Sequence, residues 1–131
     1  MKRRAFAMTV SATILTLLAV FGITGAAHAK VTEFCNMPFS KAGFACFYSD
    51  GDWFKVGDNF EDGMRAVVIW VTDYGRSGEC HDADGAANGY TWCNFNLAEG
   101  HTVVFSVVSR NGANGANKNE SNVVIAYTSG R

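Results

Sequence analysis

The residues best suited to chemistry lie between positions 76 and 101. Asp82-Ala83-Asp84-Gly85, with Glu79 before it and Asn88 after it, offers the oxygen ligands that calcium takes. The spacing departs from the calcium-loop pattern, because Gly85 directly follows the second acid and no glutamate stands at the twelfth position. Turn-forming acids on a solvated loop account for the same residues. Asp58, Glu61 and Asp62 form a second cluster of the same kind. The expectation is therefore no cofactor, with calcium at Asp82 and Asp84 as the alternative.

Histidine chemistry is sparse. His81 neighbours Cys80 and Asp82, and a neutral imidazole beside a carboxylate could act as a general base, but no serine stands in a recognisable nucleophile motif. With His28 removed by processing, only His81 and His101 remain, too few for a three-histidine metal site. A Glu-plus-His pair of the kind small secreted ribonucleases use stays open on composition. No catalytic residue is assigned; a small secreted hydrolase is kept as the second alternative.

The four cysteines are Cys35, Cys46, Cys80 and Cys93. No pair stands two to four residues apart, as structural zinc sites usually require. An even count in a small exported domain implies disulfides, and four cysteines allow three pairings. Cys35–Cys46 with Cys80–Cys93 is preferred, since each closes a short loop. Each closure is worth about 2 to 4 kcal/mol, mainly by restricting the unfolded chain.

The aromatic residues suggest binding. If the residues from 90 to 97 form a strand, Cys93, Phe95 and Leu97 share one face and Tyr90, Trp92, Asn94 and Asn96 the other. Flat rings stack on apolar sugar faces and amides supply directional hydrogen bonds, so these four residues form a possible ligand platform. Trp53 and Trp70 read as core. Arg76 and Ser77, on a loop tethered by Cys80, form a possible protein-binding loop.

The elements that must position these residues are strands. Short runs rich in β-branched and aromatic residues alternate with Gly, Asp and Asn clusters, and no helical period is present. Strands are expected at 44–49 and 53–56 around the Asp50-Gly51 turn, at 66–72, 90–97, 102–109 and 123–128, with an edge strand at 30–34. The run 66–72 is apolar on both faces and suits the middle of the core. Segments 73–89 and 110–122 read as loops, the second polar, Asn-rich and mobile. Pro38 falls outside every strand, as its missing N–H requires. The expected fold is all-β, a small antiparallel β-sandwich of six or seven short strands with two disulfides.

The N-terminus carries an address. Met1-Lys2-Arg3-Arg4, an apolar stretch over 10–23 and Ala27-His28-Ala29 match a signal peptide over 1–29, leaving a domain over 30–131. Arg3-Arg4-Ala5-Phe6 partly matches the twin-arginine pattern, and the general secretory route is preferred. Removing 29 of 131 residues leaves 102, one domain; removing Lys2, Arg3 and Arg4 from 11 basic residues leaves 8 against 12 acidic ones, a formal net charge of −4. With no basic run, that balance argues against nucleic acid. The expectation is a secreted monomer with an extracellular ligand, free of the membrane after cleavage.

Ala45-Cys46-Phe47-Tyr48, Gly51-Asp52-Trp53-Phe54-Lys55-Val56, Asp62-Gly63-Met64-Arg65-Ala66-Val67-Val68, Gly75-Arg76-Ser77-Gly78-Glu79-Cys80, Cys93-Asn94 and Glu99-Gly100 together resemble small secreted proteins of filamentous actinobacteria. The resemblance implies export and a compact two-disulfide β domain, and it assigns no site. Secreted hydrolase inhibitors share the size and the disulfides, but the Trp-Arg-Tyr triplet and the inhibitor cysteine spacings are absent, so inhibition is a fold-level analogy. The functional expectation is a non-catalytic extracellular binding module for a carbohydrate, wall polymer or protein ligand, with a hydrolase inhibitor as the alternative.

Overall fold

Alternating apolar and polar residues broken by Gly and Asp produce eight strands in the computed structural model, which describes residues 30–86 and 89–129. The signal peptide expected over 1–29 and Asn88 fall outside the described residues. The strands are β1 Glu33–Cys35, β2 Phe44–Tyr48, β3 Trp53–Gly57, β4 Arg65–Thr72, β5 Ser77–Asp82, β6 Thr91–Asn94, β7 Thr102–Arg110 and β8 Val124–Tyr127. They form two antiparallel four-stranded sheets, ordered β1-β2-β3-β6 and β5-β4-β7-β8. The all-β sandwich is as expected, with one strand more.

The core lies where the inward faces meet. Phe47, Phe54 and Val56 from the first sheet face Ala66, Val68, Trp70, Val103, Phe105 and Val107 from the second. Phe54 is the hub: its ring centre lies 4.9 Å from Phe47, 5.2 Å from Phe105 and 6.1 Å from Trp70. Burying each such side chain contributes about 1.5 to 3 kcal/mol.

Both disulfides pair as preferred. Cys35–Cys46 joins directly opposed residues of β1 and β2, and Cys80–Cys93 joins β5 of one sheet to β6 of the other. At the opposite side of the sandwich β1 meets β8, with Phe34 and Tyr127 in edge contact at 5.9 Å. Lys30, Val31 and Thr128 complete a groove there of about 500 Å³.

Four expectations need correction. First, β5 occupies the segment read as a loop over 73–89. Its residues Ser77-Gly78-Glu79-Cys80-His81-Asp82 carry almost no strand-favouring side chains, and the strand forms because β4 supplies the ladder. Gly78 is required there: a Cβ would come within 2.5 Å of Trp70 Cζ2.

Second, the strand expected over 90–97 stops at Asn94. Asn96 takes a left-handed φ of 45°, and the N–H groups of Phe95 and Leu97 turn to Asp52, donating to its carbonyl at 3.2 Å and to its carboxylate at 2.7 Å. Asp52 is itself left-handed, with φ 57°, and closes the hairpin after Gly51.

Third, Trp53 is 40% exposed, whereas Trp70 is 2% exposed. Alternation along β3 sends Phe54 and Val56 inward, which leaves Trp53 and Lys55 on the outer side. Fourth, the 110–122 segment is tied down. Ser109 and Lys118 exchange backbone hydrogen bonds of 2.8 and 2.9 Å, Ser121 N–H donates to Val107, and buried Arg110 donates to Asn117 Oδ1 at 2.6 Å.

Candidate functional site

The first sheet turns an aromatic face outward, and strand register determines its layout. Cys35, Cys46, Lys55 and Trp92 stand side by side across β1, β2, β3 and β6, and Glu33, Tyr48, Trp53 and Asn94 form the parallel row two residues along. Phe44 pairs with Gly57 in β3, and Tyr90 lies beyond it, just ahead of β6.

Gly57 makes room for its neighbours. A Cβ there would come within 2.5 Å of Phe44 Cε1 and 2.6 Å of Tyr90 Cδ1. Without it the two rings meet edge to face at 4.9 Å, and Phe39 adds a third ring 5.4 Å from Phe44. On the other flank Tyr48 and Trp92 lie 5.4 Å apart. Tyr90 and Trp92 are 53% and 50% exposed, so this face is open.

Lys55 sits among these rings. Its Nζ lies 4.1 Å from the centre of Tyr90, 5.4 Å from Trp92 and 5.7 Å from Phe44. Such contacts are worth about 0.5 to 2 kcal/mol, depending on desolvation. Lys55 is half-buried, and among the described residues its ammonium has no hydrogen-bond acceptor or carboxylate partner. At the far side of the groove Tyr48 donates its hydroxyl to Glu33 Oε1 at 2.7 Å. Burial, reinforced by the Glu33 acceptor and its charge, pushes the Tyr48 phenol up to about 12, so it stays protonated. Phe39, Phe44, Tyr48 and Tyr90 line an open groove of about 630 Å³ together with Lys55 and Glu33, and Trp92 stands beside it against Tyr48.

Compared with protein-family models, curated proteins and solved structures, the chain matches none.

Of the four platform residues read from the sequence, the structure brings Tyr90 and Trp92 together. Asn94 shares their side, but its amide donates to the Gly51 carbonyl. Asn96 lies beyond the strand, and its carbonyl accepts from Arg76 Nη1 at 2.8 Å. The sequence reading missed Phe44, Tyr48, Trp53, Lys55 and Glu33. The signal was present for the central strands, since Phe44, Cys46 and Tyr48 alternate with core residues, as do Trp53, Lys55 and Gly57.

The other singled-out residues are engaged elsewhere. Arg76 follows the β4–β5 turn, its guanidinium 5.9 Å from the Trp70 ring, and Ser77 opens β5. Asp82 is buried; it accepts from the Asp58 N–H at 2.8 Å and from the Thr91 hydroxyl at 3.2 Å, binding β5 to neighbouring segments. Asp84 is exposed. Asp58 is also buried, and one of its oxygens accepts from Phe60 N–H at 2.9 Å. That burial pushes its carboxyl above the ordinary range, and the charges of Asp62 and Asp82 act in the same direction. Among the described residues, the one grouping of three potential metal ligands is Glu33, Cys35 and Cys46, whose thiolates are consumed by the disulfide.

Each histidine among the described residues has a carboxylate partner. His81 Nε2 lies 2.9 Å from Glu79, which also receives a two-pronged contact from Arg110 at 2.7 and 2.9 Å. His101 Nδ1 lies 2.8 Å from Asp73.

Proposed function

We propose that the protein is a secreted, non-catalytic binding domain whose ligand seats on the outer face of the β1-β2-β3-β6 sheet, over Tyr90 and Trp92. The observation that carries this reading is the exposure of those two rings beside a groove walled by further aromatic residues. Large exposed aromatic side chains grouped on one face cost solvation free energy unless a ligand covers them. The leader pattern and two disulfides support export, because disulfides persist outside the reducing cytoplasm.

The rigidity of the site supports binding of a preformed shape. Phe44, Tyr48 and Trp92 rise from a ladder of three hydrogen-bonded strands, Tyr90 directly precedes the last of them, and the first disulfide lies within the same surface. Side chains held this way lose little conformational entropy when a ligand arrives. The test is retention of the mature protein on a panel of insoluble polysaccharides, comparing the parent with Trp92→Ala while circular dichroism monitors the fold. Retention that Trp92→Ala abolishes supports the reading; retention unaffected by Trp92→Ala overturns the placement of the ligand.

A further inference from the structure

We propose that the ligand of this face is an acidic polysaccharide, with sugar rings on Tyr90 and Trp92 and a sugar carboxylate on Lys55 Nζ, an assignment that rests on the binding-face reading above. Lys55 is the reason. An ammonium carries three donors, and here they open into a groove in which no described residue accepts from them. Ring faces compensate a half-buried cation only in part, whereas an arriving carboxylate forms charge-assisted hydrogen bonds in a partly desolvated setting.

The rest of the groove selects among anions. Glu33 stands at its other side, with one oxygen holding the Tyr48 hydroxyl. A carboxylate repels a second nearby anion and accepts hydrogen bonds from sugar hydroxyls. A uronate-type sugar, with one carboxylate among several hydroxyls and an apolar ring face, satisfies the rings, the cation and the acid together.

The experiment is affinity electrophoresis of the mature protein through gels containing polygalacturonate, or its fully methyl-esterified form as the neutral counterpart. Retardation by polygalacturonate should exceed that by the ester by about tenfold in apparent affinity, and it should weaken as salt is raised. Lys55→Met should remove the difference between the two gels, and Lys55→Arg should keep it. Equal retardation by both gels, or a Lys55→Met variant that still discriminates, overturns the acidic assignment; if Trp92→Ala also loses retardation in that case, the binding face itself stands. Absence of retardation in both gels overturns the acidic assignment, and the polysaccharide panel then decides the binding face separately.

Discussion

Cys80 and Cys93 join edge strands of opposite sheets, with their Cα atoms 6.0 Å apart, so this one bond ties the two layers of the sandwich together. Cys35–Cys46, by contrast, links neighbours within a single sheet. The sequence separations, 13 and 11 residues, are nearly equal, so chain entropy gives both bonds about the same worth, about 2 to 4 kcal/mol. Either paired Cys→Ser variant should therefore lower Tm by roughly 10 °C or more. Hydrogen exchange separates the two: only loss of Cys80–Cys93 should selectively speed exchange in β5, whose ladder partner is β4 alone.

Tryptophan emission reports the outer face. Iodide should quench Trp53 and Trp92 and leave Trp70 untouched, because the first two are 40% and 50% exposed and the third is 2% exposed. The double variant Trp53→Phe/Trp92→Phe should retain a blue-shifted emission that iodide does not reach. Strong quenching in that variant would place Trp70 outside the core.

Two glycines with equally tight surroundings should behave differently. A Cβ at Gly78 meets the Trp70 ring in the core, so Gly78→Ala should cost about 1 to 3 kcal/mol in denaturant unfolding. A Cβ at Gly57 meets Phe44 and the exposed ring of Tyr90. Gly57→Ala should cost less stability and should weaken ligand retention on the aromatic face.

Two carboxylates should give stability slopes of opposite sign. Burial raises the folded-state pKa of Asp58, so its favourable contribution is fully present below the ordinary carboxyl pKa and is lost as pH rises through the raised value. Asp58→Asn, which can still accept from Phe60, should remove that slope; Asp52, raised by burial in the same way, keeps a parallel one. Arg110 lowers the pKa of Glu79, whose contribution is present above the ordinary value and is lost as pH falls through the lowered one. Urea midpoints between about pH 3 and pH 7 for Asp58→Asn and Glu79→Gln should therefore diverge from the parent in opposite directions.

Most of the core was legible in the sequence because two-residue alternation is local. Val103, Phe105 and Val107 announce the inward side of β7 without help from the rest of the chain. β5 was not legible, because its strand character comes from the β4 ladder and from Trp70 lying over Gly78, both set by tertiary structure. The candidate site divides along the same line. Tyr90 and Trp92 show in the sequence as exposed aromatics two residues apart, whereas Lys55 reads as an ordinary surface lysine. Its environment comes from rings on other parts of the sheet, and only the register of β2, β3 and β6 brings them to it.

The groove shared by Lys30 and Thr128 brings both ends of the described domain to one place, beside the β1–β8 contact. The order in which the strands are threaded is therefore separable from how they pack. A circular permutant that bridges positions 129 and 30 with a short flexible linker, and opens at Gly63 in the β3–β4 connection, keeps every ladder and both disulfides in place. It should fold to the same sandwich, and its new ends would lie where cargo can be attached without lengthening the original termini.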